Sequence, residues 1–399
     1  MSKKLPEGWR RLSLSELGKI YTGNTPPTKK EEFYISNDVM FIKPDDFIQG
    51  KINIIGKSKA YLSKVGAEKG RFIPKGSVLI TCIGILGKVG IIDEDCCFNQ
   101  QINAIVPNLN IVIPKYLAYY IMNNKHILES MAGGAVVPMI NKTQFSSIKI
   151  DLPPLEEQAR IVSILEKAES AIEKRKESIK LIDEYLKSVF VDMFGDPVIN
   201  TKNWNIKKLG ELGYFKNGMN YKQSDSGFNI KFLGVGEFKY GNIINNSNML
   251  PILELQEQPK DEYLLKDGDI VFVRSNGSKE LVGRSVLIKG LEEDTTYSGF
   301  CIRYRNQNNE IMPEFLSSLF SDEGFKSYFK KDSRGANINN LNQQMLSDLN
   351  IIIPPIELQN KFTDFVKQVN KLKFEMENSL KELENNFNSL MQKAFNGEL

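Results

Sequence analysis

The 399-residue chain is poor in the groups that do chemistry. It has a single histidine, His126, in a helix-like stretch after Lys115-Tyr116-Leu117, which points to a structural role and leaves no imidazole pair for acid–base work. Its four cysteines, Cys82, Cys96, Cys97 and Cys301, show no C-x-x-C spacing, so neither a zinc site nor a disulfide framework is indicated. The most apolar run, from Val78 to Gly87, is too short to span a bilayer and contains two glycines. No signal sequence is recognisable, and the expected setting is a reducing cytoplasm without membrane contact. Gly87-Lys88 is not a phosphate-binding loop, because Cys82 and Val89 occupy the positions of its first glycine and its hydroxyl residue. The double prolines are followed by Leu155 and Ile356, not by the aromatic residue of an amino-methyltransferase motif. Carboxylates such as Asp45, Asp46, Asp93 and Asp95 read as turn residues, so no metal or cofactor site is expected.

What the chain does have is a repeat. Leu152-Pro153-Pro154-Leu155-Glu156-Glu157-Gln158 returns 201 positions later as Ile353-Pro354-Pro355-Ile356-Glu357-Leu358-Gln359. After the first copy, Ile161, Leu165, Ala168, Ile172, Arg175, Ile179, Ile182, Leu186, Val189 and Met193 follow one another at alternating steps of four and three. The second copy puts Phe362, Val366, Val369, Lys373, Met376, Leu380, Leu383, Phe387, Leu390 and Ala394 on the same track. This is a heptad seam, and it predicts two helices of roughly 40 residues that pack on each other, with the prolines as start signals. Arg175 and Lys373 break the seams, and an antiparallel pairing would bury each near the middle, where it would fix register.

The repeat extends upstream. Both tryptophans stand at equivalent places, in Gly8-Trp9-Arg10-Arg11-Leu12 and Asn203-Trp204-Asn205-Ile206-Lys207, followed by Thr22-Gly23-Asn24 and Asn217-Gly218-Met219. Pro114-Lys115-Tyr116-Leu117 falls on Pro313-Glu314-Phe315-Leu316. The chain therefore divides into a domain at 1–151, a helix at 152–196, a second domain at 197–352 and a second helix at 353–399. The first domain carries 20 Lys and Arg against 13 Asp and Glu, whereas the second is balanced at 19 against 19, so only the first has a basic bias toward nucleic acid. Between the domains the largest change falls after Gly268, where Arg274-Ser275-Asn276-Gly277-Ser278-Lys279 replaces an apolar loop. One scaffold with two different loops suggests two readers of different things. Asn99-Gln100-Gln101 offers amides of the type that pair with adenine, Arg274 is of the guanine-reading type, and Lys29, Lys43 and Lys88 are suited to phosphates.

Taken together, Leu152-Pro153-Pro154-Leu155-Glu156-Glu157-Gln158, Pro354-Pro355-Ile356-Glu357-Leu358-Gln359, the two Trp-containing starts and Phe98-Asn99-Gln100-Gln101-Ile102 resemble the specificity subunit of type I restriction-modification systems. Leu358 and Phe362 depart from that motif but keep its helical pattern. The resemblance implies an α/β (α+β) fold: two target-recognition domains joined by two long antiparallel coiled-coil helices, with an internal pseudo-two-fold repeat. It implies a subunit without catalysis of its own, which reads the two halves of a split duplex DNA site. The helices would set the spacing and recruit two modification subunits and, through them, restriction subunits. No cofactor would bind directly, since S-adenosylmethionine, ATP and Mg are used by those partners. The expected DNA contacts in the first domain are Asn24, Thr25, Lys29, Lys43, Lys88, Asn99, Gln100, Gln101 and Asn141. In the second they are Asn217, Tyr221, Lys222, Arg274, Ser275, Asn276, Lys279, Arg284, Arg303, Arg334, Asn337 and Asn339. Two other readings remain open from the residues alone: a coiled-coil scaffold with protein- or RNA-binding ends, and a methyltransferase or nuclease with an unusual site.

Overall fold

A computed structural model describes residues 5–133, 137–221, 227–275, 281–322, 324–325 and 340–399. The chain separates into two compact units, residues 1–176 with 378–399, and residues 177–377. Each long helix thus contributes one stretch to each unit.

In the first unit a five-stranded sheet runs in the order Gly18–Thr22, Ile102–Pro107, Val78–Thr81, Val89–Ile92, Ile52–Ile55. Neighbours are antiparallel except the last pair, which is parallel. Side chains alternate along a strand, so this sheet has two apolar faces to cover. Val78, Ile80, Val89, Ile91 and Ile105 pack with the helix Pro114–Asn123 and with Leu14, Leu17 and Phe145. Leu79, Ile92 and Ala104 turn the other way and meet Met40, Ile42, Ile73 and Phe98. Those residues come from a four-stranded sheet ordered Tyr61–Leu62, Val39–Ile42, Cys96–Phe98, Phe72–Ile73. Double coverage explains why these strands read as continuous apolar runs.

The second unit repeats the plan. Its five strands run Gly213–Asn217, Cys301–Asn306, Ile270–Val273, Ser285–Ile288, Ile243–Ile244. Ile270, Phe272, Leu287, Ile302 and Tyr304 pack with the helix Pro313–Ser321. Val271, Val273, Val286 and Ile288 gather Leu233, Phe238 and Tyr297 on the opposite face. The smaller sheet here has three strands, Ile252–Leu255, Phe228–Leu233 and Thr295–Tyr297. A two-stranded ribbon leads into each long helix: Arg10–Ser13 with Lys149–Leu152, and Asn205–Lys208 with Asn350–Ile353.

The predicted helices are Leu155–Phe194 and Ile356–Asn396, of 40 and 41 residues. Each begins immediately after its double proline, which has no second helical amide to lose there. Every seam residue named above is buried or half-buried, none exposed. In the first unit Lys176 reaches Glu384 at 3.1 Å, and Phe395 packs edge-on against Tyr116 and Tyr120. In the second unit Asp183 meets Lys373, Tyr185 meets Phe365 and Phe190 meets Phe362. Partner numbers fall as helix numbers rise, so the packing is antiparallel. The expectation of two buried basic residues is corrected: Arg175 is only half-buried, and Lys373, its side chain still 28% exposed, pairs with Asp183 at 2.7 Å.

The repeated glutamine of the Pro-Pro motif has a defined job. Gln158 is fully buried; its Nε2 donates to the carbonyls of Ile111 (3.0 Å) and Pro153 (2.9 Å), and its Oε1 accepts from the Ile113 amide at 2.8 Å. Gln359, also fully buried, repeats all three bonds with Glu310, Pro354 and Met312, each at 2.8 Å. One amide thus ties the start of a long helix to the loop that enters the domain helix, satisfying backbone groups that would otherwise be stranded.

Candidate nucleic-acid interface

The side chains that face solvent at one end of each five-stranded sheet are held by a turn built from backbone bonds. In the first unit the turn Asn99-Gln100-Gln101 closes with the Ile102 amide on the Asn99 carbonyl at 3.2 Å and the Gln101 amide on the Asn99 side chain at 3.1 Å. The Gln101 carbonyl accepts from the Cys82 amide at 2.8 Å, fixing the turn to the loop after Val78–Thr81. On its other side the Gly23 and Asn24 amides reach Ile102 and Phe98, both at 3.1 Å. Glycine is required at this crossing, because a Cβ on Gly23 would lie 2.1 Å from the Asn99 carbonyl oxygen. The structure thereby assembles Asn24, Thr25, Asn99, Gln100 and Gln101, which are separated in sequence, with Thr25 Oγ1 donating to Gln100 Oε1 at 2.5 Å.

The second unit builds the same turn from Ser298-Gly299-Phe300. The Cys301 amide donates to the Ser298 carbonyl at 2.8 Å, the Phe300 amide to the Ser298 hydroxyl at 3.2 Å, and the Arg274 amide to the Phe300 carbonyl at 2.8 Å. Gly218 takes the place of Gly23, its hypothetical Cβ again 2.1 Å from a carbonyl oxygen, that of Ser298. Asn217, Arg274 and Ser275 flank this turn through the Gly218–Met219 segment, whose Met219 carbonyl accepts from Gly299, and through the Arg274 and Ser275 amides, whereas the Tyr221 ring packs edge-on against Phe232.

Several expected contact residues have other tasks. Arg303 is a correction: it is 1% exposed, donates to the carbonyl of Glu262 at 3.0 Å and lies over the rings of Tyr214 and Tyr297. Lys88 is also corrected, its ammonium being occupied by the carbonyls of Pro44 and Phe47 at 3.1 Å. Asn141 caps the helix Lys142–Ser147 through Gln144, and Asn99 is mostly buried within its own turn. Asn217 accepts from Gln343 at 3.0 Å, and Asn24 donates to the Lys69 carbonyl at 2.7 Å. Lys29, Lys43, Gln100, Tyr221 and Arg284 are exposed. Lys222, Asn276, Lys279, Arg334, Asn337 and Asn339 lie outside the described residues.

Phe300, 62% exposed, was absent from the expected set. Aligning Phe98-Asn99-Gln100-Gln101-Ile102 on Tyr297-Ser298-Gly299-Phe300-Cys301 would have found it. The thiols are buried, and burial pushes Cys82 and Cys301 up to about 12 and Cys97 to about 11, values of unreactive cysteines. Among the described residues no three His, Cys, Asp or Glu side chains are grouped to hold a metal, and no helix is long and apolar enough to cross a membrane.

Residues 6–181 and 201–385 each match the type I restriction modification DNA specificity domain. The chain belongs to this family. It is similar to the type I restriction enzyme StySPI specificity subunit of Salmonella potsdam, with 25% identity over 99% of this chain and 90% of that protein. It is 24% identical, over the same shares, to the EcoKI specificity subunit of Escherichia coli strain K12. A match to the HindI specificity subunit of Haemophilus influenzae reaches 33% identity over 41% of this chain and 37% of that protein. Two solved structures share the fold. One, from work on complex assembly and conformational transition of the type I R-M system, has a TM-score of 0.66 at 19% identity, covering 99% of this chain and all of that one. The other, the type I S subunit from M. genitalium, has a TM-score of 0.54 at 15% identity, covering 99% and 97%. The family's doubled domain is the repeat first seen in the tryptophans and prolines.

Proposed function

We propose that this chain is the non-catalytic specificity subunit of a type I restriction-modification complex, in which each unit reads one half of a bipartite duplex DNA site. The observation that carries this is the doubled turn: the same backbone bonds, built twice, present amides in one unit and an aromatic ring in the other. Conserving geometry while exchanging side chains is what two readers on one scaffold need. The long helices act as the ruler between half-sites, since 40 residues extend about 60 Å against about 34 Å for one duplex turn. Their outer faces receive two modification subunits, through which restriction subunits join. S-adenosylmethionine, ATP and Mg belong to those partners, and the complex works in the cytoplasm. The recognition domains are residues 1–151 and 197–352, with 152–196 and 353–399 as spacers.

Selection of random duplexes by the full chain with its modification subunits tests the reading. One enriched bipartite sequence is expected, and its absence would sink the proposal. Removal of residues in register from both long helices should change the tolerated spacer while leaving the half-sites unchanged.

A further inference from the structure

The turn Ser298-Gly299-Phe300 holds an aromatic ring in solvent by construction. Its backbone is fixed on three sides: the Ser298 carbonyl and hydroxyl take the Cys301 and Phe300 amides, the Gly299 amide donates to the Met219 carbonyl at 2.7 Å, and the Phe300 carbonyl takes the Arg274 amide. The Ser275 amide also reaches that carbonyl, at 3.4 Å. The neighbouring loop approaches closely as well, since a Cβ on Gly299 would lie 2.2 Å from the end of the Asn220 side chain and 3.2 Å from the Met219 carbonyl oxygen. A ring left 62% exposed on a locked turn is not the by-product of a slack loop. Burial would have favoured it strongly, and nothing in the turn's own bonding requires an aromatic residue. In the other unit the same place is held by Gln101, beside the exposed Gln100.

The chemistry that suits an exposed apolar side chain on duplex DNA, on a turn bonded to the backbone amides of Arg274 and Ser275, is narrow. In the major groove the one apolar feature of a base edge is the thymine 5-methyl group, which phenylalanine can cover, while the neighbouring donors serve guanine or phosphate oxygens. Resting on the DNA-specificity reading above, we infer that Phe300 is a specificity-determining residue of the second unit that recognises a thymine methyl group in its half-site.

The test uses the full chain with its modification subunits and the bipartite duplex returned by selection. Each thymine of both half-sites is replaced in turn by deoxyuridine, which removes only the methyl group. The wild-type complex should lose affinity at one position by roughly fivefold, the effect of uncovering one methyl. Phe300→Ala should lose the same factor on the thymine duplex and become indifferent to deoxyuridine at that position only, while Phe300→Leu keeps part of the discrimination. An unchanged thermal transition for Phe300→Ala shows that the unit is folded. The inference is overturned if no thymine is sensitive, or if Phe300→Ala responds to deoxyuridine as the wild type does. If selection returns no bipartite sequence at all, the broader reading fails instead.

Discussion

Next to the edge strand of each five-stranded sheet, the two units solve one packing problem in different ways. In the first, Ala104 and Val106 face the smaller sheet, and a buried Ser77 precedes the neighbouring strand Val78–Thr81. In the second, Arg303 and Arg305 occupy those places and Asp269 replaces the serine. Arg305 grips the fully buried Asp269 carboxylate through two bonds of 2.7 Å, which hold the guanidinium well above its ordinary range. The backbone plan tolerates either a small apolar filling or a buried ion pair, provided each filling is complete. Fold is therefore specified by the alternation and the turns, and the contents of this layer are free to drift in pairs.

That comparison can be broken most forcefully at the ion pair. Arg305→Val should destabilise the second unit by about 4 kcal/mol, because it strands a buried carboxylate. Adding Asp269→Ser, which installs the first unit's residues, should recover most of that loss in chemical denaturation; no recovery would mean that the two layers are not interchangeable. The glutamines sharpen the comparison from the opposite side. Gln158→Ala and Gln359→Ala should each cost about 3 kcal/mol, since both strand the same three backbone groups. Clearly unequal losses would show that the repeat is geometric but not energetic. Lys373→Leu should change stability by about 0.5 kcal/mol at most, as a solvent-screened pair with Asp183. A large gain in the thermal transition would revive the idea of a buried register residue.

The long helices, the doubled tryptophan starts and the shared scaffold were legible because periodicity and repetition survive without coordinates. The two-sided sheets were visible only as apolar runs, since a strand covered on both faces shows no alternation of polarity. Arg303 could have been placed from its neighbours: it alternates with Ile302 and Tyr304, which face the domain helix, so it points into the other layer. Read alone, its guanidinium suggested only a contact with DNA. Asn99 and Asn141 illustrate a second limit, because short amides that could read adenine are equally able to close turns and cap helices. Phe300 illustrates the converse, since an aromatic residue is usually core and only the turn's bonding leaves this ring in solvent.

The first unit takes in Met391, Ala394 and Phe395, packed with Tyr116 and Tyr120, and Arg160 donates to the Leu399 carbonyl. A ribosome making this chain delivers those side chains only after every residue of the second unit. The second unit, whose residues are contiguous, is supplied in full while the first still lacks one wall. The unit begun first is thus completed after the other, and a stop between residues 378 and 390 would damage the first unit while leaving every residue of the second in place.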